Sequence, residues 1–260
     1  MPELKQSQNG YVKTSLHNNI ATVEFFHPQS NSMPGKLLEE LALEITKAGN
    51  NKHIHVIVLR SAGDKAFCAG ASFDELKAIK NEEEGTRFFS GFAHVINAMR
   101  NCPKFILARI QGKCVGGGVG LAAAADYTFA LTGADVKLSE LAIGIGPFVI
   151  GPAVERKIGL SAFTQLAVDA NNWHSAEWAK EKGLYAALHP TLEDMDAAVK
   201  KLSETLASSN PEAMAEMKKM FWKGTEHWNE LLPERAAISG RLVLSDFTKD
   251  AIAKFSNRSK

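Results

Sequence analysis

The chain has 260 residues, of which 45% are hydrophobic and 23% charged, so it can bury a large core as one domain or as a domain with a helical extension. Thirty Lys and Arg residues balance 29 Asp and Glu residues, and no run of five like charges occurs, which argues against nucleic acid and membrane partners. Three cysteines without CxxC spacing, and no apolar stretch of about 18 residues, predict a cytoplasmic protein without disulfides, a zinc site or a membrane span.

The N-terminal part predicts a hairpin, a helix and a buried strand. Strand-like residues at 11–15 and 20–26 flank the turn-forming letters HNN. Pro34 suits the first turn of a helix, and Gly49 stands where that helix would end. The β-branched run at 54–60 is typical of a strand covered on both faces.

The next part repeats this order of loop, helix and strand. A loop punctuated by glycines precedes a helical pattern over 86–100, and the run FILARI at 105–110 predicts another buried strand. The letters YTFAL at 127–131 predict a further short strand. Strands that alternate with helices favour an α/β fold with crossover connections.

From about Leu192 onwards the strand patterns stop and amphipathic helical patterns follow. We therefore divide the chain into residues 1–195 and a helical region, residues 196–260. An apolar stripe in that region predicts local core, with packing on another subunit as the alternative. The stripe consists of Met214, Met217, Met220, Phe221 and Trp222.

The stretch GKCVGGGVGLAAAADY, residues 112–127, holds five glycines within its first nine positions. It does not fit the dinucleotide pattern GxGxxG, because Leu121 occupies the position of the last glycine. It does not fit a phosphate-binding P-loop either, because Gly118 occupies the position of the lysine. A helix that begins near Gly117 or Gly118 would leave N–H groups free for a substrate oxygen. The alternative is that the glycines only allow close packing of the helix on the sheet.

A second loop of small residues, AFCAGASF at 66–73, also follows a buried strand and precedes a helix. Its N–H groups could point to the same place, which would provide two donors. With these two motifs, the letters LSELAIGIGP at 138–147 closely resemble the crotonase (enoyl-CoA hydratase/isomerase) family. The resemblance extends from about Ile20 to the C-terminus and is nearest to the bacterial methylglutaconyl-CoA hydratase-like branch.

The resemblance implies a fold and a class of substrate. The expected fold is a crotonase-like spiral of ββα units over residues 1–195, with residues 196–260 as a helical trimerisation region. The expected substrate is an acyl-CoA thioester, so coenzyme A would arrive as part of the substrate and no separate cofactor or metal is expected. The expected assembly is a homotrimer or a dimer of trimers.

The resemblance also implies which residues meet the thioester. The backbone N–H groups of Ala71 and Gly117 would hold the thioester oxygen as an oxyanion hole. Coenzyme A and the acyl group would be contacted by residues around these donors and, near the C-terminus, by an aromatic and a basic residue. These substrate-binding residues are Lys65, near the phosphates, Ala69, whose carbonyl would meet the adenine, Gly70, Gly116, Gly120, Phe148, Phe255 and Arg258.

One of the two glutamates that hydratases of this family commonly use is present in the sequence. Glu140 is followed by Gly144 and Pro147 at the offsets of the family, and we expect burial to raise the pKa of its carboxyl group. The other glutamate is replaced by Gly120. Proton transfer is therefore assigned to Glu140, and Phe148 is expected to reshape the acyl end of the site.

Three interpretations fit a single glutamate. We favour a hydratase that adds water to a 2-enoyl-CoA thioester, including branched ones. The close alternative is a Δ3,Δ2-enoyl-CoA isomerase that uses Glu140 alone. The third is a relative that binds acyl-CoA or RNA without catalysis; the RNA version is disfavoured because the helix at 34–48 has only Lys36 and Lys47 as basic residues.

Overall fold

The computed structural model describes residues 10–258, with side chains described up to residue 254. Its strands agree with the predicted hairpin and the predicted buried runs. Asn18 and Asn19 adopt left-handed backbone conformations at the hairpin turn, which Asn tolerates better than most residues. The strands are β1 Tyr11–His17, β2 Ile20–Phe26, β3 Val56–Ser61, β4 Phe105–Ile110, β5 Cys114–Val115, β6 Tyr127–Leu131, β7 Val136–Lys137 and β8 Ala187–His189.

Helices connect most of these strands and make up the C-terminal part. The predicted helix after Pro34 is present and runs one residue beyond Gly49. The helices are α1 Gly35–Asn50, α2 Phe73–Ala78, α3 Glu82–Asn101, α4 Gly117–Ala124, α5 Gly151–Val168, α6 Ala176–Glu181, α7 Leu192–Ala207, α8 Pro211–Phe221, α9 Trp228–Leu242 and α10 Asp246–Arg258. A 3₁₀ turn covers Leu141–Ile143. Within the described residues, no helix is both long enough and apolar enough to cross a membrane.

The main sheet has the strand order β1-β2-β3-β4-β6-β8. Strand β1 is antiparallel to β2, and the other neighbouring pairs are parallel. Strands β5 and β7 form a separate parallel pair. Because β3 and β4 are parallel neighbours, the loops that follow them leave from the same edge of the sheet. The predicted α/β class is confirmed.

The two faces of the sheet are covered by different helices. On one face, Ile57 and Leu59 of β3 belong to the main core, which also includes the buried sides of α1 and α3. On the other face, Val56 and Val58 pack in a second cluster that includes Met195 of α7. The boundary predicted at residue 195 thus falls inside α7, which packs on the sheet; the division into core and trimerisation region stays a prediction.

The apolar stripe of α8 is only partly core. Met214 and Trp222 are buried, whereas Met217, Met220 and Phe221 are exposed. Met214 packs in the second cluster with Met195, and α8 contacts strand β4. Packing of the exposed part on another subunit stays a prediction.

Candidate active site

The loops after β3 and β4 lie side by side. Cys68 and Cys114 form a parallel bridge between them, and the Val115 N–H donates to the Cys68 carbonyl at 2.9 Å. The Phe67 N–H donates to the Lys113 carbonyl at 3.0 Å. These backbone hydrogen bonds hold the two small-residue motifs together, as expected for loops at one edge of a parallel sheet.

The N–H group of Ala71 is turned away from the backbone that supports its loop. Met33 pairs with Ala71: the Met33 N–H donates to the Gly70 carbonyl at 2.8 Å, and the Ser72 N–H donates to the Met33 carbonyl at 3.1 Å. In such a bridge the central residue points its own N–H to the opposite side. Among the described residues, none accepts a hydrogen bond from this N–H.

Gly117 supplies the other donor. It is the first residue of α4, and its N–H has no acceptor in the described part of the chain, as is usual for the first turn of a helix. Gly70 lies against it with a φ of +86°, and a Cβ at Gly70 would lie 3.7 Å from the Gly117 nitrogen and 3.1 Å from the Val115 oxygen. The positive φ and the close approach of the Val115 oxygen therefore favour glycine beside the Gly117 donor.

Ala71 and Gly117 line the same cavity, which has a volume of about 230 Å³. Most of its walls are apolar side chains from α2, α3 and the segment around the 3₁₀ turn. These are Phe73, Leu76, Phe89, Phe92, Ile143, Ile145, Phe148, Val149 and Ile150. Two free backbone donors thus face a mostly apolar space, where a hydrogen bond to a developing negative charge is strongest.

Glu140 provides the acid–base group of this cavity. Its own carbonyl accepts from the N–H groups of Ile143 at 3.2 Å and Ile145 at 3.0 Å, which fixes the turn that carries it. The residue is partly buried as a whole, but its Oε2 is fully enclosed and has no hydrogen-bond partner among the described residues. Burial raises the pKa of Glu140 to about 7. Near neutral pH the carboxyl can therefore both accept and donate a proton.

Glu140 also lies next to the second motif. A Cβ at Gly116 would lie only 2.8 Å from Oε1 of Glu140, and Gly116 has a φ of +52°. Both the close approach and the backbone conformation favour glycine. The carboxylate is thus held beside the residue that precedes the Gly117 donor.

Gly120 does not contribute to the cavity surface, although the sequence assigns it to substrate binding. A Cβ at Gly120 would lie 2.6 Å from Cγ2 and 2.8 Å from Cβ of Ile150. Ile150, at the start of α5, is the residue that lines the cavity here. The volume in which a second glutamate would begin is therefore filled by an apolar side chain.

The other predicted site residues fall into three groups. The cavity brings together Ala69, Gly70, Ala71, Gly116, Gly117, Glu140 and Phe148. Lys65 is exposed and lines a different depression, together with Lys113 and Gln111. The side chains of Phe255 and Arg258 lie outside the described residues.

Asn31, which no sequence motif singled out, supports the first loop. Its Nδ2 donates to the carbonyls of Ala62 at 2.9 Å and Ala66 at 2.8 Å, and its Oδ1 accepts from the His27 N–H at 2.8 Å. Asn31 has a φ of +56°. An Asn in the turn after a strand indicates a possible backbone contact, but the sequence could not show which carbonyls accept, because they lie 31 and 35 residues further along the chain.

Ser139 and Ile150 were also missed as cavity residues. Ser139 precedes Glu140 and is, with it, one of the two polar side chains among the described residues that line the cavity. In the described part of the chain, no three His, Cys, Asp or Glu side chains are grouped so that they could hold a metal ion.

The model of the enoyl-CoA hydratase/isomerase family matches residues 15–255, which is most of the chain. The chain belongs to the enoyl-CoA hydratase/isomerase family. The crotonase membership predicted from the three motifs is confirmed.

Curated relatives of this family member carry enzyme names. The chain is 31% identical over 200 residues to the human protein named "Methylglutaconyl-CoA hydratase, mitochondrial", covering 75% of this chain and 58% of that protein. It is 26% identical over 244 residues to the "Short-chain-enoyl-CoA hydratase" of Clostridium acetobutylicum, covering 93% of this chain and 92% of that protein.

A solved structure confirms the fold. The enoyl-CoA hydratase from Bacillus halodurans superposes with a TM-score of 0.86 at 22% identity, covering 94% of this chain and 99% of that chain. The crotonase-like fold expected from the sequence is therefore present. Lyase and isomerase chemistry both occur among the members of this family.

Proposed function

We propose that this family member is an acyl-CoA-processing enzyme that hydrates a 2-enoyl-CoA thioester through an enolate. The observation that carries the proposal is the position of Glu140, a carboxyl group with a pKa of about 7, in the cavity that the Ala71 and Gly117 donors share. An enolate needs stabilisation of its oxygen and a proton carrier near its α-carbon. The cavity offers both.

The two backbone donors stabilise the oxygen. As the enolate forms, negative charge moves onto the thioester oxygen between the N–H groups of Ala71 and Gly117. Removal of one such donor typically costs about 10²–10³ in rate. Because both donors are backbone groups, no side-chain substitution removes either of them directly.

One carboxylate can complete the hydration. Ionised Glu140 accepts a proton from water as the water oxygen attacks C3, and the electrons of the double bond move to give the enolate. Protonated Glu140 then donates that proton to C2, which returns the carboxylate to its starting state. Ser139, the other polar side chain of the lining, orients the water in this scheme.

The second candidate is isomerisation of a 3-enoyl thioester to the 2-enoyl form. It is favoured by Ile150, which fills the space beside Gly120 and leaves Glu140 as the single carboxylate among the described residues of the lining. Glu140 would remove a proton from C2 and return it to C4, so no water is consumed. Both reactions use the same oxyanion hole.

The remaining substrate contacts are those expected from the sequence. Lys65, Phe255 and Arg258 would contact the coenzyme A part, and no separate cofactor is expected. A homotrimer or dimer of trimers in the cytoplasm is the expected form.

A panel of saturated, 2-enoyl, 3-enoyl and 3-hydroxyacyl CoA thioesters with product identification tests the proposal. A hydratase interconverts the 2-enoyl and 3-hydroxyacyl compounds, and an isomerase converts the 3-enoyl compound and leaves the 2-enoyl compound unhydrated. Glu140→Gln should slow either reaction by about 10²–10⁴-fold, whereas Glu204→Gln, on the exposed side of α7, should not. Binding of thioesters without any turnover would contradict both enzymatic functions.

A further inference from the structure

The cavity lining contains no positively charged side chain among the described residues. Beyond the two polar residues Ser139 and Glu140, its lining consists of backbone and of apolar groups such as Phe89, Phe92 and Ile145. An acyl group that enters this space therefore meets hydrocarbon, two backbone donors and one carboxyl group.

Lys77, a lysine beside this wall, is already paired. Its Nζ lies 5.4 Å from the ring centroid of Phe73, which lines the cavity, and 2.9 Å from the Asp74 carboxylate. Lys77 is not part of the lining. Among the described residues, no cationic side chain of the cavity lining could therefore pair with a negative charge on the acyl group.

Such a charge would also face Glu140. The hydration and isomerisation schemes both require Glu140 to be ionised before the proton transfer. A second carboxylate in the same apolar space would lose its hydration without a compensating partner, and the two like charges would repel each other. Both effects disfavour binding of the charged acyl group.

Resting on the proposed function, we infer that the acyl end of this site accepts neutral, apolar acyl groups and discriminates against acyl groups that end in a carboxylate. Phe148 and Ile150 determine this specificity. Ile150 fills the space beside Gly120, and the Phe148 ring lies against the loop, since a Cβ at Gly146 would be 2.6 Å from two of its atoms. Neither side chain can neutralise a carboxylate.

Two saturated thioesters test the inference without turnover. Isovaleryl-CoA and 3-methylglutaryl-CoA share the coenzyme A part and the branched carbon, and differ by a terminal carboxylate. Binding of each to the full chain is measured by calorimetry at pH 8. We expect 3-methylglutaryl-CoA to bind at least about 100-fold more weakly, which corresponds to about 2.7 kcal/mol.

Phe148 provides a matched pair of variants. Phe148→Lys places a cation at the acyl end and should reduce the difference between the two thioesters at least about 10-fold. Phe148→Met changes the shape without adding charge and should preserve the difference. Because the result is a ratio of two affinities for the same variant, partial loss of folded protein does not affect it.

The outcomes separate the acyl specificity from the proposed function. Equal or tighter binding of 3-methylglutaryl-CoA by the wild-type chain would overturn the specificity alone, as would a difference that Phe148→Lys leaves unchanged. Failure of the chain to bind either thioester would instead overturn the acyl-CoA function on which the specificity rests.

Discussion

Burial has two effects on the Glu140 carboxyl group: it raises the pKa to about 7, and it makes the ionised form costly in the folded state. The first effect suits proton transfer near neutral pH. The second means that the same side chain lowers the stability of the fold whenever it is ionised. Each effect gives a measurable prediction.

The first prediction concerns stability. Between pH 4.5 and about 7 the unfolded chain has lost the Glu140 proton while the folded chain retains it, so this group makes stability fall as the pH rises through that window. The shift sets an upper limit of about 3 kcal/mol. Glu140→Gln should therefore be more stable than the wild type by about 1–3 kcal/mol at pH 8, and by much less at pH 5, in urea denaturation. An equal effect at both pH values would contradict the burial argument.

The second prediction concerns the pH dependence of the wild-type rate. Both proposed reactions begin with ionised Glu140, so kcat/KM should rise with pH with a midpoint near pH 7. Initial rates with 2-enoyl and 3-enoyl thioesters from pH 5.5 to 8.5 measure this. A kcat/KM that is already constant from pH 5.5 upwards, as for an exposed glutamate with a pKa near 4.5, would show that the carboxyl group is not buried in the working enzyme.

At the scale of elements, the glycine turn into α4 and the start of α5 determine the shape of the site together. A Cβ at Gly120 of α4 would overlap Cγ2 and Cβ of Ile150, so a side chain at this position requires Ile150 to shift. The absence of a second carboxylate is therefore built into helix packing as well as into the sequence of the turn.

This contact predicts the response to a single methyl group. Gly120→Ala should lower stability by about 1–3 kcal/mol, because its Cβ overlaps Ile150. Ile150→Ala makes room for the added methyl group, so the double variant should lose less stability than the two single losses added together. Gly133→Ala is the control, since no atom lies within 4 Å of its added Cβ. Additive effects would show that the two residues do not share the space.

The elements were predictable where the pattern is local, and the contacts between them were not. An apolar run such as Phe105–Ile110 shows a strand directly, and the small residues after it show a turn that exposes N–H groups. Glu140 and both donors followed from the family motifs. Ile150 and Asn31 could not be predicted, because their roles depend on partners 30 or more residues away.

At the scale of the whole molecule, a buried ion pair connects the C-terminal helices to the sheet. Lys218 of α8 is 2% exposed, and its Nζ donates to the Asp126 carboxylate at 2.8 Å and to the Lys104 carbonyl at 2.8 Å. Asp126 also accepts from the Ile106 N–H at 2.7 Å. The acid that follows α4 is structural, and its contacts link α8 to strand β4.

Removal of the cation should be costly. Lys218→Met leaves Asp126 buried without its ion-pair partner, and we expect a loss of about 3–5 kcal/mol in the free energy of unfolding. Lys219→Met removes the neighbouring lysine, whose side chain is 71% exposed, and should change stability by less than about 0.5 kcal/mol. Equal effects in thermal or urea unfolding would show that α8 is not held by this pair.

The central claim is that Glu140 carries the proton to and from the carbon skeleton of a CoA thioester. Conversion of but-2-enoyl-CoA and but-3-enoyl-CoA in D₂O, followed by NMR, tests it most directly. The wild-type chain should convert at least one of them, with deuterium placed at C2 after hydration or hydrogen moved from C2 to C4 after isomerisation, and Glu140→Gln should be slower by about 10²–10⁴-fold. Wild-type conversion by Glu140→Gln, or no conversion by the wild-type chain, would contradict the account.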